Sequence, residues 1–385
     1  MPLLCPTEDC TGCSACAAIC PQICITMRPD KEGFLRPSVD ETRCVACGLC
    51  TKACPVAGPN AFAPRRPMSV SAVQNTCATV RKESSSGGAF SLLADRVLAQ
   101  GGVVFGAGFD SEFHVLHMGV DTAAGLARLR GSKYVQSDLN NVFQSVRQHL
   151  GSGRHVLFSG TPCQIAGLRG YLGVDHDKLL CVDFVCHGVP SPLVFELWKR
   201  ALEQRYHSKT QAISFRRKDR GWNRFALAFS FEDGREYQGT VKEEIYLRGF
   251  LSSLFLRPAC HACRFKELRG TSDLTLADYW GVGSRFPDFD DDLGTSLVFV
   301  NTSKGELAFR ACADNMDIRS SDYEHAISNN AMIAGSCRPH PDRALFFERL
   351  EKQRIDSLLL RMVKLSFRRK VTLFIKQALW HMAGR

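Results

Sequence analysis

The chain has 385 residues, of which 45% are hydrophobic and 23% charged, and a formal net charge of +10. This composition is ordinary for a soluble globular protein of two or three domains. Eighteen cysteines invite a secreted disulfide scaffold, but the length and the lack of an apolar leader argue against one. No run of about 20 apolar residues is present, which argues against a membrane span.

The first element is a pair of cysteine runs with one spacing. Cys10, Cys13, Cys16 and Cys20 precede Pro21, and Cys44, Cys47, Cys50 and Cys54 precede Pro55. This is the spacing of bacterial two-[4Fe–4S] ferredoxins, in which the fourth cysteine of each run serves the other cluster. One cluster is therefore expected on Cys10, Cys13, Cys16 and Cys54, and the other on Cys44, Cys47, Cys50 and Cys20. A zinc site needs only paired cysteines, not a third in step followed by Cys-Pro. Clusters of this kind call for a reducing compartment, so the expected location is the cytoplasm. Between the runs, residues 25–39 read as a hairpin-like connection, and residues 58–67 as a Pro-rich linker.

Beyond the linker the pattern becomes α/β. A helix is expected over Ala89 to Ala99, ended by Gly101-Gly102, then a strand from Val103 to Phe105. A helix around Asn140 to Leu150 is followed by short strands at 155–158 and 179–185, which suggests parallel pairing. Segments 225–231 and 235–239, joined at Asp233-Gly234, read as a hairpin added to this core. The fold class is thus α+β: a two-cluster ferredoxin-like module at 1–60, a linker at 61–80, an α/β domain at 81–340, and a basic helical tail at 341–385.

Four further cysteines stand at telling places. Cys163 and Cys186 each fall just past the carboxyl end of an expected parallel strand, the edge at which open α/β sheets bind ligands. Cys260 and Cys263 form a Cys-x2-Cys pair after Pro258. Together they would supply the thiolates of a third [4Fe–4S] cluster, although the pair with His261 also reads as half a zinc site. Cys5, Cys24, Cys77, Cys181, Cys312 and Cys337 read as unligated. A flavin is the natural partner of such clusters, because it joins one-electron to two-electron chemistry. Ser84-Ser85-Ser86-Gly87-Gly88 opens a helix whose free N–H groups suit a pyrophosphate, and equally suits a plain N-cap. Residues 131–137, from Gly131 to Ser137, gather hydroxyls, a cation, a ring and an amide.

The stretches SSSGGAF (84–90), RGSKYVQSDL (130–139), LFSGTPCQIAGLR (157–169), DFVCHGVPSP (183–192), CHAC (260–263) and DLTLADYWGVG (273–283) resemble the coenzyme F420 hydrogenase/dehydrogenase beta-subunit family. The resemblance covers residues 80 to about 300. It implies FAD against Ser86, Gly87, Gly88, Ser132, Lys133, Tyr134 and Gln136, with Thr161 beside them. It also implies a cluster on Cys163, Cys186, Cys260 and Cys263, and so three [4Fe–4S] clusters and one FAD in all. The fused N-terminal module and basic tail are similar to bacterial members linked to surface-polysaccharide synthesis. They depart from the short archaeal form that uses F420.

The expected function is an iron–sulfur flavoprotein oxidoreductase that exchanges electrons between ferredoxin-type clusters and FAD to reduce or oxidise a small organic substrate. An F420-dependent dehydrogenase and a non-enzymatic electron-transfer subunit are the alternatives. Expected partners are a redox partner, either ferredoxin or a reduced cofactor, and no nucleic acid. Lys133, His187 and Asp278-Tyr279 are candidate proton donors near the flavin. From Arg343 to Arg385 there are eleven Lys or Arg against three acids. The expected role of this tail is a terminal helix packed on its own domain; peripheral contact with an anionic membrane is the rival.

Overall fold

The computed structural model describes residues 4–58 and 62–363. Residues 364–385 of the expected basic tail lie outside the described residues.

Both cysteine runs fold alike. Each ends in a five-residue helix, Ala15–Ile19 and Leu49–Ala53, that starts from a left-handed residue, Ser14 or Gly48. Between them β1 (Ile25–Pro29) and β2 (Leu35–Val39) form the expected antiparallel hairpin.

The core of the second part is an eight-stranded mixed sheet. Its strands are β3 (Ser69–Asn75), β4 (Val103–Phe109), β5 (Val115–Val120), β6 (Val156–Ser159), β7 (Leu179–Phe184), β11 (Leu274–Asp278), β12 (Ser296–Val300) and β13 (Met316–Ser321), in the order β13-β3-β12-β11-β7-β6-β4-β5. Only the four adjacent strands β11, β7, β6 and β4 are parallel, paired β4 to β6, β6 to β7 and β7 to β11; the other pairings are antiparallel. Most residues of the parallel strands are buried, and β4 and β6 read as near-continuous apolar runs, as strands covered on both faces do. Helix Ala89–Ala99 has the expected bounds, and its apolar stripe of Leu92, Leu93 and Val97 is buried with Val104, Leu157 and Leu180.

One expectation is corrected. The 225–239 hairpin does not extend the main core. As β9 (Ala226–Phe231) and β10 (Glu236–Thr240) it pairs with β8 (Thr210–Arg217) in a separate antiparallel sheet. That sheet and helix Pro192–Tyr206 enclose a second, aromatic-rich core of Trp198, Phe215, Phe229, Tyr246 and Phe255. The last described helix, Ile355–Met362, buries Leu358 and Leu359 in the same core, so the start of the tail packs on its own domain.

The N-terminal module docks on helix Pro162–Leu172, which follows β6. On this helix Gly167 faces Cys13 and Gly170 faces Ala53. A Cβ at Gly167 would sit 2.8 Å from Cys13 Cβ, and one at Gly170 only 2.3 Å from the Ala53 carbonyl oxygen. Glycine weakens a helix interior, but here it lets a cluster loop approach the helix backbone closely.

Candidate electron-transfer site

The eight cysteines of the two runs fall into two groups. The thiols of Cys10, Cys13, Cys16 and Cys54 act on one another electrostatically, so the last cysteine of the second run joins the first three of the first run. Burial pushes Cys13 up to about 12. Cys5 donates hydrogen bonds that hold Cys10 near 5 and Cys54 near 6. Cys20, Cys44, Cys47 and Cys50 line a second concavity of about 320 Å3, and Cys24 lines it with them. The Cys24 and Cys20 sulfurs are 3.3 Å apart. Around this second group Ile23, Val45 and Leu49 are exposed apolar side chains, and Cys47 itself is exposed.

A third group forms at the carboxyl edge of the parallel strands. Cys163 lies in the first turn of the helix after β6, and Cys186 lies two residues past β7. Cys260 and Cys263 come from the short 3-10 turn Pro258–Ala262 and the residue after it. All four line one cleft enclosing about 870 Å3, part of it open to solvent. Asp9, Thr11 and Val56 of the N-terminal module form part of its wall. Burial pushes the Cys163 and Cys260 thiols up to about 12. Buried thiols of this kind become thiolates when a metal centre supplies compensating charge. Thr161 Oγ1 lies 3.1 Å from Cys163 Sγ, and the Val189 amide donates to Cys260 Sγ at 3.4 Å. Lys266 ties the Cys186 and Met332 carbonyls together at 2.6 and 2.8 Å.

Among the described residues no three of His, Cys, Asp and Glu converge as ligands of one metal ion. A cubane does not need that convergence, since each thiolate binds a different iron. Cys13 and Cys163 act on each other electrostatically, which places the first and third groups side by side. The second group lies at the outer face of the module.

The two segments singled out for a flavin meet. Ser85 Oγ accepts from the Ser132 amide at 2.6 Å and lies 2.9 Å from the Ser132 hydroxyl. Ser86 Oγ donates to the Thr295 carbonyl, and Gly87 lies against the backbone of Val73 and Ser296, where no Cβ would fit. Behind them stands a charged group that sequence reasoning missed. Lys218 Nζ bonds the carbonyls of Arg81, Ser86 and Leu293, and Arg216 pairs with Asp278 at 2.5 Å. The buried Nε and Nη2 of Arg216 have no partner in the described structure. Tyr134 faces Arg216 and stacks on Phe250 with ring centres 4.7 Å apart.

Other expected site residues serve different ends. Gln136 turns toward the N-terminal module, donating to the Thr11 carbonyl at 3.1 Å. Thr161 caps its helix and touches Cys163. Lys133 donates to the Arg128 and Arg130 carbonyls, and burial pushes it down to about 7. His187 lies in the wall of the cysteine cleft, edge-on to Phe250, with Met332 Sδ 3.3 Å from Nδ1; burial and then Lys266 push it down to about 4. Lys133 and His187 are thus not in one constellation, although Phe250 touches both His187 and the neighbour of Lys133. Asp278 is held by Arg216 and Trp222, and Tyr279 is buried against Ser321 and His325.

Cysteine quartets on a ferredoxin-like module, docked against an α/β domain with a cysteine cleft at the edge of its parallel strands, define the class: an iron–sulfur electron-transfer protein of the oxidoreductase type. Residues 9–57 match the family model of the 4Fe-4S dicluster domain. Residues 153–326 match the model of the carboxyl-terminal region of the coenzyme F420 hydrogenase/dehydrogenase beta subunit. A solved structure of the F420-reducing [NiFe] hydrogenase complex from Methanosarcina barkeri, derivatised with xenon, superposes with a TM-score of 0.45 and 18% identity. The superposition covers 76% of this chain and 90% of that one. No curated protein matches the chain. No helix among the described residues is long and apolar enough to cross a membrane.

Proposed function

We propose that the protein is an iron–sulfur flavoprotein oxidoreductase that carries single electrons between a protein partner and a flavin beside an organic substrate. The observation that carries this reading is the placement of the three cysteine groups. Cys20, Cys44, Cys47 and Cys50 would hold the outermost cluster, with Cys10, Cys13, Cys16 and Cys54 next. Cys163, Cys186, Cys260 and Cys263 would hold the innermost, at the sheet edge where α/β folds bind ligands.

The residues at the Ser85–Ser132 junction fit FAD. Gly87 keeps the loop backbone free of a side chain, and Arg216 presents unpartnered buried nitrogens, which in a native protein call for an anionic or carbonyl partner. When bound, FAD would exchange electron pairs with the substrate and single electrons with the clusters. Around it, Tyr134 and Phe250 would exclude water, and Lys218 would hold the Ser86 loop in place. His187, kept neutral, is the proton-handling group nearest the cysteine cleft. Deazaflavins such as coenzyme F420, which the matched family is named for, and precursors of surface polysaccharides are the substrate classes to test first.

Anaerobically purified protein should contain about twelve irons per chain and release about one FAD on denaturation. Cys163→Ala should remove about four irons and leave eight, because one open corner makes a cubane labile. A parent protein with only eight irons, or one with zinc at Cys260 and Cys263, would overturn the third cluster; release of FMN or no flavin would overturn the FAD site.

A further inference from the structure

Arg257 immediately precedes the Cys-x2-Cys turn and is wholly buried. Its guanidinium leaves the α/β domain and enters the N-terminal module. Nε donates to the Cys10 carbonyl at 2.6 Å, Nη2 donates to the Leu35 carbonyl at 2.9 Å, and Nη2 lies 3.6 Å from Cys10 Sγ. Nη1 donates to Gln136 Oε1 at 2.8 Å, and Gln136 in turn donates to the Thr11 carbonyl. Phe34 of the module lies under the guanidinium, 5.4 Å from its ring centre. At the other end of the residue, the Arg257 carbonyl accepts from the Cys260 amide, and the Arg257 amide donates to the Val189 carbonyl. Gly12 leaves room for the fork, since a Cβ there would come within 2.6 Å of Nη1.

One permanent positive charge is therefore held between the first cysteine group and the third. Arg257 lies against Cys10 and lines the cleft formed by Cys163, Cys186, Cys260 and Cys263. The guanidinium is wholly buried and stays charged, so its field acts on both groups with less screening than at the surface.

We propose that Arg257 is the coupling residue between the first and third cluster sites, a positioning residue whose one guanidinium both docks the N-terminal module and raises the reduction potential of the two clusters on either side of it. This rests on the reading of both cysteine groups as cluster sites. The physical reason is that each reduction adds one electron, and hence one negative charge, to a centre already carrying four thiolates. A fixed cation nearby favours the reduced form, and hydrogen bonds to the sulfurs act in the same direction. In the transfer itself the donor centre loses one electron and the acceptor gains it, and no proton need move. Arg36 provides an internal comparison. It also donates to the Cys10 carbonyl, at 3.1 Å, but it reaches only the first group.

The test is an EPR-monitored redox titration of the full-length, anaerobically reconstituted protein, with iron content determined on the same samples. Arg257→Gln should keep about twelve irons and shift both potentials to more negative values, whereas Arg36→Gln should shift only the first. Arg257→Gln with full iron and both potentials at parent values overturns the proposal. If Arg257→Gln does not assemble, Arg257→Lys decides. The ammonium keeps the charge but cannot span all the acceptors of the fork, so it should lower the potential at the first site or make the module more protease-sensitive. Parent behaviour in both respects overturns the proposal. A parent protein with only eight irons would instead overturn the third-cluster reading, an outcome separate from either.

Discussion

Glu32 and Arg343 stand 311 positions apart in the chain and meet as a two-pronged ion pair, Nη1 to Oε1 at 3.0 Å and Nη2 to Oε2 at 2.5 Å. Both side chains are largely buried, 16% and 14% exposed. Arg343 also donates to the Leu256 carbonyl, and the Ser191 hydroxyl donates to the Glu32 carbonyl, so the pair fastens the module's hairpin beside the Leu256–Arg257 segment of the α/β domain. Removing one partner of a fully buried pair costs about 3–5 kcal/mol; with some solvent access, Glu32→Gln should cost about 2 kcal/mol. Chemical denaturation with fluorescence detection measures this, and proteolytic release of the module should accelerate in parallel. A loss within about 0.5 kcal/mol would mean that the pair does not fasten the module.

Gly170→Ala should destabilise the protein even though alanine is the better helix former by about 1 kcal/mol. The new methyl would meet the Ala53 carbonyl oxygen, which belongs to backbone and cannot swing aside. A net loss of about 1–3 kcal/mol is expected from overpacking. A thermal melt of the variant above that of the parent would contradict the close approach of module and helix.

Glu244 supplies a pH signature. It is wholly buried, caps helix Ile245–Leu251 by accepting from the Leu247 amide at 2.5 Å, and accepts from the Tyr237 hydroxyl at 3.2 Å. Burial raises its carboxyl from 4.5 to about 7. The native state therefore holds this proton more tightly than the unfolded chain. Its contribution is fully present below pH 4.5, is lost as pH rises to about 7, and then stays level. Glu244→Gln cannot ionise, so its stability relative to the parent should rise by about 2–3 kcal/mol between pH 5 and pH 8. A pH-independent difference in urea unfolding would refute the assignment. Asp183, also raised to about 7 by burial, acts in the same direction in both proteins and cancels in the comparison.

On the proposed order of clusters, the exposed apolar rim of Ile23, Val45 and Leu49 around the second cysteine group would be the surface across which a protein donor reaches the outermost one. Val45→Asp should slow reduction of the clusters by a ferredoxin-type donor several-fold and leave reduction by dithionite unchanged. Equal slowing of both would point to damage at the cluster rather than to docking.

The cysteine spacing is enough to read two ferredoxin-type quartets, because three ligands on one short loop are a local property of the chain. The hairpin at 25–39 and helix Ala89–Ala99 are equally legible, the first from its turn residues and the second from its apolar period and terminal glycines. Five strands are not legible in this way: β3, β12 and β13 pair with one another across more than two hundred residues, and β5 and β8 pair with their chain neighbours β4 and β9 without an alternating pattern of their own. The 225–239 hairpin is recognisable, but its sheet is not: β8 lies across a loop from it and ends at Arg216 and Arg217, with Lys218 just beyond, behind the Ser86 loop. The sequence could name Cys163, Cys186, Cys260 and Cys263 as a set. That they share a cleft with the N-terminal module depends on Gly167 and Gly170 meeting Cys13 and Ala53, and on Arg257 reaching Cys10. Contacts between residues more than a hundred positions apart are decided by shape and buried charge, which no local window of sequence contains.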